Sequence, residues 1–460
     1  MPESTFTPVE ASTTRGLARA ILAVHPDAIP EPPLHRARQC LLDFLGVALG
    51  AADHPAVSIL METAHAMRTS PLATVLGHAE RTDALWAALI NGSMAHVLDF
   101  DDTHSPTILH GYSSILAAQL ALAESLSAPV TGMRFLAAFL AGYETSARVA
   151  LAVHPSHYDR GWHVSGTAGT FGAAAACGWL LGLSVDQMAQ ALGIAASQAA
   201  GLREMFGSMN KSLHVGKAAQ NGLLAALLAH RGFTSSGQAL EAPRGFCRVL
   251  SSDARLDQLT ADWGAHWQIM SSGFKPFPCG VVTHAAIEAA LALHDEQGVR
   301  AEEVETTHAR CHPLVLELTG KTDPQTGLEG KFSIYHCLAA ALVDGRVTPR
   351  TFSDERVHDA QVLALRARVH VTVDEALATD QAEVTVKLRS GQELAVLIEH
   401  AAGSPQHPLT DGQLAAKFTG LVNEAGRLEP GAAQEILEQV YRVETLPDVT
   451  VLLRLCRKGA

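Results

Sequence analysis

The chain is poor in aromatic and in positively charged residues. Of its 460 residues 5% are aromatic, and 34 lysines and arginines are outnumbered by 47 aspartates and glutamates. The net charge of −13 argues against a nucleic-acid groove and against binding to an anionic membrane, because both need basic surfaces. A small anionic ligand is still compatible with this charge, since a few buried cations set the local sign.

Paired cysteines and long apolar runs are also missing from the sequence. The seven cysteines are scattered without CxxC spacing, so neither a disulfide framework nor a zinc knuckle is predicted. The start has no basic segment followed by an apolar run, so the sequence does not predict a signal peptide. Apolar stretches such as residues 168–181 are too short for a membrane span. We expect no membrane association and a cytoplasmic location.

Apolar residues recur with the period of an α-helix through the first 265 residues. Residues 1–16 read as a frayed start, and no convincing alternating strand follows. High alanine content with few aromatics favours helices that pack closely through small side chains. The predicted helices cover residues 17–24, 34–48, 55–68, 81–98, 113–126, 132–151, 163–181, 184–199 and 213–229.

The apolar period changes to that of β-strands after residue 267 and returns to that of helices after residue 405. Strands are predicted at residues 304–312, 368–373, 383–388 and 393–399, the last two as a hairpin, with helices at 283–294, 331–343, 410–425 and 430–440. We therefore predict a mainly α protein. Residues 1–268 and 405–460 would form one large all-helical domain, and residues 269–404 an inserted, smaller α+β lid domain. A cleft is expected between them.

One stretch, residues 91–110, concentrates groups capable of acid–base chemistry. It reads NGSMAHVLDFDDTHSPTILH and contains three aspartates and three histidines at the end of a predicted helix. A helix end that delivers carboxylates and imidazoles into a loop is a common way to build a catalytic site. The alternative is a solvated acidic helix end, capped by its own side chains.

Four other places carry candidate groups, each with a structural alternative. His163 precedes a Gly/Ala-rich helix, and it either reaches a cleft or merely packs there. Lys211 opens an apolar helix, where a lysine forms an anion site or is solvated. Lys275 is held in a proline-stiffened turn, KPFP, unless it is a linker lysine. Tyr335 opens a helix in the predicted lid, unless it is a core aromatic with a satisfied hydroxyl.

These segments together resemble one family. The order DFDDTH (99–104), RGWH (160–163), NKSLHVGKAAQNG (210–222), KPFPCG (275–280) and GKFSIYH (330–336) is similar to that of the MmgE/PrpD family. That family contains 2-methylcitrate dehydratases, cis-aconitate decarboxylases and iminodisuccinate epimerase. The resemblance implies a helical domain with an inserted lid, a homodimer, and catalysis with no metal and no organic cofactor.

The resemblance also implies a set of site residues. The positions that match the decarboxylase branch are Asp99, Thr103, His110, His163, Lys211 and Lys275. A gapless match places His336 where the decarboxylase has a tyrosine, with Tyr335 one residue earlier, so both are candidates. The segment that follows DFDDTH differs from both branches, since His110-Gly-Tyr stands near the position of their His-Pro-Ser.

The chemistry of these residue types fits a small di- or tricarboxylate substrate. Lys211 and Lys275 would bind its carboxylates from opposite sides and stabilise the charge that develops when a neighbouring proton is removed. His163 and His110 are the leading proton-transfer candidates. Asp99 would orient or polarise one of them, and Thr103 would support the network by hydrogen bonding.

We therefore expect a metal-independent lyase, a hydro-lyase similar to 2-methylcitrate dehydratase. An epimerase of an iminodisuccinate-like dicarboxylate and a cis-aconitate-type decarboxylase are the alternatives within the family. Outside it, the DxDDT pattern also matches terpene cyclases, although they need aromatic cavities. The same carboxylates and histidines could form a divalent-metal site. A non-enzymatic helical scaffold would predict an internal repeat, which the sequence lacks.

Overall fold

The computed structural model describes residues 13–459, and most of the predicted frayed start lies outside them. Helices dominate the first part, and before residue 304 the described strands are two residues long. The helices are α1 (Thr14–Leu22), α2 (Glu31–Gly50), α3 (Pro55–Ala66), α4 (Ala84–Val97), α5 (Tyr112–Ser125), α6 (Gly132–Val153), α7 (Ser156–Asp159), α8 (Val164–Leu180), α9 (Val185–Gln198), α10 (Met209–His230) and α11 (Phe246–Leu250).

Polar side chains fix where several of these helices begin. Asp83 accepts a hydrogen bond from the backbone N–H of Trp86 at the start of α4. Ser184 and Gln187 form a capping box at the start of α9. Such caps satisfy backbone N–H groups that have no partner within the helix.

Helices α4 and α10 approach closely at two glycines. A Cβ on Gly92 of α4 would lie 3.0 Å from the Cα of Gly216 in α10, and a Cβ on Gly216 would lie 2.3 Å from the carbonyl oxygen of Leu89. Because only glycine fits at such distances, the two backbones come into contact. This contact brings the C-terminal end of α4 beside the first turn of α10.

The α+β segment follows, beginning with α12 (His284–Asp295). Its strands β5 (Val304–Cys311), β6 (Val369–Val373), β7 (Ala382–Leu388) and β8 (Glu393–Ile398) form a sheet in the order β6-β5-β7-β8. β5 and β6 are parallel, whereas the β5–β7 and β7–β8 pairs are antiparallel. The predicted hairpin is confirmed as β7–β8. The remaining helices are α13 (Pro313–Thr319), α14 (Gly327–Gly330), α15 (Ile334–Asp344), α16 (Asp354–Val357) and α17 (Ala360–Arg366).

The last three helices return to the first part of the chain. They are α18 (Asp411–Ala425), α19 (Ala432–Tyr441) and α20 (Thr450–Leu455). Phe418 of α18 packs directly against Gly46 of α2. The absence of a side chain at Gly46 allows the two helices to approach.

The buried hydrophobic side chains form two clusters. The first joins residues 17–274 with residues 409–456, and the second contains residues 279–401 of the α+β segment. The mainly α class is confirmed. The domain boundaries and the movement of residues 269–404 as a lid stay predictions.

Two short antiparallel pairs complete the described fold, β1 (Ala73–Thr74) with β2 (Arg81–Thr82) and β3 (Thr103–His104) with β4 (Ser272–Gly273). The β3–β4 pair joins the DFDDTH stretch to the residues directly before Lys275. Strands of two residues are too short to give an alternating pattern, so the sequence did not predict them.

Within residues 13–459, one helix, α6, is long and apolar enough to cross a membrane, and 94% of its apolar window is buried within the protein. Helices α2 and α3 pass the same test only as a pair, with a bend of 84° between them. The buried core helix of a globular protein meets the same criteria of length and composition, so passing this test is weak evidence for a membrane span.

Candidate active site

A small cavity gathers five of the eight predicted site residues. We call it the inner cavity. Its lining includes Asp99, His110, His163, Lys211 and Lys275. Apolar groups from the α+β segment complete the wall, among them Val281, Leu318 and Phe332.

Asp99 lies directly after the C-terminal end of α4, in a left-handed backbone conformation with φ of +53°. A non-glycine residue rarely adopts this conformation, and such strain clusters at functional sites. The turn directs the carboxylate toward two lysines. Nζ of Lys275 donates to Oδ1 of Asp99 at 2.6 Å, and Nζ of Lys211 donates to the same oxygen at 3.0 Å.

These hydrogen bonds differ from the predicted role of Asp99. We expected its carboxylate to orient a histidine, but the hydrogen bonds described for it come from the two lysines. Burial raises the pKa of Asp99, but Lys211 and Lys275 together lower it well below its usual range. Asp99 is therefore a buried counter-ion, and both lysines bind the same carboxylate oxygen, Oδ1.

Each lysine has one N–H group left for a ligand. Lys211 donates to Asp99 and to Nε2 of His96, at 2.9 Å in the second case. Lys275 donates to the carboxylate and to the backbone oxygen of Asp99. An ammonium group has three donors, so one N–H of each remains. Burial lowers the pKa of Lys211, and Asp99 opposes this effect.

Asp101 is the carboxylate that orients a histidine. Nδ1–H of His96 donates to Oδ2 of Asp101 at 2.7 Å, and Ser113 donates to the same oxygen at 2.9 Å. Since Nε2 of His96 accepts from Lys211, this imidazole is neutral with its proton on Nδ1. Burial lowers the pKa of His96 even though Asp101 opposes it. His96 thus links Asp101 to Lys211.

His110 is held in one tautomer by the backbone. Its Nδ1 lies 2.6 Å from the carbonyl oxygen of Asp102. A carbonyl only accepts, so Nδ1 carries the proton and Nε2 has a free lone pair. Thr103 lies 3.5 Å from the same nitrogen, and Asp101 lies 3.7 Å from it. Burial lowers the pKa of His110 well below its usual range, which keeps the ring neutral before a reaction.

Asp102 supports this region without a lysine partner. Its carboxyl oxygens accept hydrogen bonds from the backbone N–H of Tyr112 at 3.2 Å and from the hydroxyl of Tyr143 at 3.0 Å. Burial and the neighbouring Asp101 raise the pKa of Asp102 well above its usual range. The three aspartates of DFDD therefore have different partners. Asp99 binds two lysines, Asp101 binds a histidine, and Asp102 binds groups of two tyrosines.

His163 pairs with a second histidine that the sequence analysis did not select. Its Nδ1 lies 3.1 Å from Nδ1 of His214, while its Nε2 is buried with no hydrogen-bond partner. His163 lines the inner cavity, whereas His214 is partly exposed. Burial lowers the pKa of His163 well below its usual range and that of His214 to about 4. His214 follows Lys211 by three residues, and this same-face spacing was the available signal.

Lys331 is a third buried lysine at the site that the sequence analysis did not select. Its ammonium donates to the carbonyl oxygens of Leu98 at 2.8 Å and Pro278 at 2.7 Å. It therefore ties the end of α4 to the KPFP turn behind the cavity. Burial lowers its pKa to about 8. Its place in the GKFSIYH motif was the signal for it.

Tyr335 and His336 do not line the inner cavity. Nε2 of His336 lies 2.9 Å from the carbonyl oxygen of Thr351, and its ring packs against Phe352. Tyr335 packs against the hydrophobic cluster of the α+β segment. Helix α15 starts after Ser333 and packs these side chains against its own core, so we leave both residues out of the proposed reaction.

Three groups at the site have the arrangement of metal ligands. His96, Asp101 and His110 offer ligand atoms within 4.8 Å of one another. However, Nδ1 and Nε2 of His96 are engaged by Asp101 and by the ammonium of Lys211. A dication beside this ammonium would be repelled, so the arrangement fits a hydrogen-bond network better than a metal centre.

A larger cavity of about 380 Å³ adjoins the inner one, and we call it the outer cavity. The two share five lining residues, Ile108, Tyr158, Lys275, Val281 and Val282. Thr103 lines the outer cavity. The two cavities are therefore adjacent, and residues of both the helical part and the α+β segment line the outer one.

Comparison with known proteins identifies relatives along almost the whole chain. The MmgE/PrpD N-terminal domain matches residues 15–259, and the MmgE/PrpD C-terminal domain matches residues 277–442. The cis-aconitate decarboxylase of Aspergillus terreus is 26% identical over 456 residues, which cover 93% of this chain and 92% of the relative. The 2-methylcitrate dehydratase of Salmonella typhimurium is 26% identical over 447 residues, which cover 89% and 90%.

A further relative, the cis-aconitate decarboxylase of Homo sapiens, is 26% identical over 458 residues, which cover 97% of this chain and 95% of the relative. The decarboxylases and the dehydratase are all lyases. Since both family domains are matched in their expected order, the chain is an enzyme of the lyase class and belongs to the MmgE/PrpD family.

Proposed function

We propose that the protein removes a proton next to a carboxylate of a small di- or tricarboxylate, and that the outcome is loss of water from a hydroxy acid similar to 2-methylcitrate. One arrangement carries this proposal. A single buried cavity combines two ammonium groups, each with an uncommitted N–H, and an imidazole whose Nε2 is fixed as a base. The proposed reaction needs no metal or organic cofactor.

The two lysines bind and polarise the substrate. The remaining N–H groups of Lys211 and Lys275 donate to a substrate carboxylate, and Asp99 keeps the two ammonium groups together before binding. When the neighbouring proton leaves, negative charge spreads onto this carboxylate. Ammonium groups already in place, in a site with little water, stabilise that charge most effectively.

His110 then accepts the proton. The C–H bond breaks, the proton moves to Nε2 of His110, and the electron pair becomes the new carbon–carbon double bond. The resulting imidazolium donates from Nδ1 to the carbonyl of Asp102 and faces the ionised carboxylate of Asp101 at 3.7 Å. A general base of this kind contributes about 10²–10⁴-fold to the rate.

His163 supplies the proton to the leaving group. When its Nδ1 accepts from Nδ1–H of His214, its Nε2 carries a proton that faces the inner cavity. This proton moves to the departing hydroxyl, whose C–O bond breaks with the electron pair on oxygen, and water forms. As this proton leaves, Nδ1–H of His214 moves to Nδ1 of His163, and the partly exposed His214 takes a proton from solvent at Nε2. Both rings thus stay neutral. His110 releases its proton to solvent afterwards, so the protons balance over a turnover.

Decarboxylation is the second candidate, because decarboxylases align with 93–97% of this chain. In that reaction a carbon–carbon bond breaks, carbon dioxide leaves, and a protonated histidine delivers its proton to the carbon. Epimerisation would return the proton to the opposite face instead. The lysine and histidine positions serve each of these outcomes.

The test is to incubate the enzyme with 2-methylcitrate, citrate, cis-aconitate and hydroxylated and aminated succinates, and to identify products by NMR. We expect water loss from a hydroxy acid, with the activity abolished in His110→Gln. Release of carbon dioxide would favour the second candidate. If no polycarboxylate is changed by the wild-type enzyme, the proposal is wrong.

Assembly and location are also proposals. We propose a cytoplasmic homodimer, and the seven buried, unpaired cysteines are compatible with a reducing compartment. Light scattering on the purified protein measures its oligomeric state directly.

A further inference from the structure

The outer cavity differs from the inner one in its charge. Lys275 is the sole lysine or arginine among its described lining residues, and this side chain points to Asp99. Two carboxylates, Asp159 and Asp380, also belong to the lining. A substrate carboxylate in the outer cavity would therefore meet repulsion and no dedicated cation, and desolvating it would cost free energy.

Much of the outer wall is apolar. Pro106, Pro155, Phe274, Leu314 and Ala402 contribute to it, and the junction with the inner cavity is lined by Ile108, Val281 and Val282. Such a surface gains free energy by contact with hydrocarbon and none by contact with an ion.

Ile108, which lines both cavities, has an unusual backbone conformation. It has φ of +57°, which is unfavourable for a β-branched side chain. The backbone N–H of Ile108 donates to the carbonyl oxygen of His104, and the carbonyl oxygen of Leu109 accepts from the N–H of His104. These two hydrogen bonds fix the backbone on both sides of the Ile108 side chain. The apolar side chain of Ile108 is thereby placed between the two cavities.

We propose that the substrate carries an uncharged, mainly apolar substituent of several carbons, which occupies the outer cavity while its carboxylates bind the lysines of the inner cavity. This inference rests on the proposed function and names the substrate class for it. Lys275 lines both cavities, so it marks the boundary between the charged and the uncharged part of the substrate. An unsubstituted polycarboxylate would leave the outer cavity to water and would gain nothing from its apolar wall.

The test is a homologous series of substrates. Citrates with hydrogen, methyl, propyl or hexyl at the 2-position, and the corresponding alkylated cis-aconitates, are compared by kcat/KM. Each methylene group buried in the outer cavity is expected to raise kcat/KM about three- to fourfold. A carboxylate at the end of the hexyl chain should cancel this gain.

A plug in the outer cavity provides the structural control. Ala402→Trp fills the space beside its apolar wall and should lower the ratio of kcat/KM for hexyl over methyl substrate at least about tenfold. Ala360→Trp is the matched change on the exposed start of α17, outside both cavities, and should leave that ratio as it is. If Ala402→Trp does not fold, Thr379→Trp at the exposed edge of the same cavity replaces it.

The outcomes separate the two proposals. A rise in kcat/KM along the series, abolished by the plug but not by Ala360→Trp, supports the inference. Turnover of the series with a flat or falling trend overturns the inference and leaves the proposed function intact. A plug that leaves the ratio unchanged overturns the inference as well. If NMR in D₂O detects no turnover or exchange for any member, the proposed function fails and this inference fails with it.

Discussion

The ammonium nitrogen of Lys275 lies 2.6 Å from Oδ1 of Asp99, and the same oxygen accepts from Lys211 at 3.0 Å. One buried carboxylate thus holds two cations that come from segments 64 residues apart in sequence, α10 and the KPFP turn. Like charges this close together would repel strongly in a buried site. Asp99 therefore keeps the two lysines in position for a substrate carboxylate.

The first prediction concerns these lysines. Lys211→Met or Lys275→Met should lower kcat/KM at least about tenfold, because each removes a charge-assisted hydrogen bond worth about 1.5–3 kcal/mol. The loss should fall on kcat as well as on KM, since the lysines stabilise charge that develops during proton removal. Steady-state kinetics with the true substrate measures both constants.

Lys217 provides the matched control for the first prediction. It lies on the same helix as Lys211, but it is exposed and contacts Gln220. Lys217→Met should therefore leave kcat/KM close to that of the wild type. Equal damage from Lys217→Met and Lys211→Met, or an unaffected Lys275→Met, would place the substrate elsewhere.

The second prediction concerns His214, which acts through His163. His214→Phe removes the partner of Nδ1 of His163, and kcat should fall about tenfold or more, within the range of acid–base effects. KM should change little, because His214 does not line the inner cavity. His214→Gln keeps a hydrogen-bonding group and should restore most of kcat. A pH profile of kcat that is identical in wild type and His214→Phe would rule out this role.

The third prediction concerns stability in acid. Burial lowers the pKa of His104 from 6.5 to about 4, so below pH 6.5 the unfolded chain binds a proton that the folded chain does not. Stability should then fall as the pH drops from 6.5 toward 4, by about 3 kcal/mol for a fully buried histidine. The thermal midpoint at a series of pH values measures this trend.

His104→Gln tests the assignment of that trend. Glutamine does not titrate, and it can still contact Thr107 and Gln268, the partners of His104. The variant should lose less stability between pH 6.5 and pH 4 than the wild type does. An unchanged slope would show that other groups, such as the buried His163, dominate the response to acid.

The fourth prediction concerns metals. Exhaustive treatment with EDTA should leave activity unchanged, because Lys211 and Lys275 supply the positive charge that a metal would otherwise provide. In the described part of the chain, His96, Asp101 and His110 have the spacing of metal ligands. Activity that is lost with chelator and regained with Mg²⁺ or Zn²⁺ would favour a metal centre at these three residues.

Much of the fold could be predicted from the periods of apolar residues. Long helices such as α6 and the β7–β8 hairpin have sequence patterns that match one regular structure over many residues. The two-residue strands β3 and β4 could not be predicted, because their pairing depends on a contact between segments far apart in the sequence. That pairing brings the KPFP turn to DFDDTH.

The sequence predicted that the candidate residues lie close together, but it did not predict which of them bind one another. Motif order placed Asp99, His110, His163, Lys211 and Lys275 together, and the cavity contains all five. The partner of each group depends on the three-dimensional packing. Asp99 binds lysines because the glycine contact between α4 and α10 brings Lys211 to it, and Tyr335 and His336 turn into their own core because α15 begins after Ser333.

The central claim is that His110 removes a proton next to a substrate carboxylate held by Lys211 and Lys275. The most direct measurement is NMR of the reaction in D₂O with EDTA present, which follows deuterium at the carbon beside the carboxylate in substrate and product. We predict incorporation at one carbon position, lost in His110→Gln, strongly reduced in Lys275→Met and preserved in Lys217→Met. Product formation without deuterium at that carbon in either direction of the reaction, or equal incorporation in His110→Gln, would contradict the account.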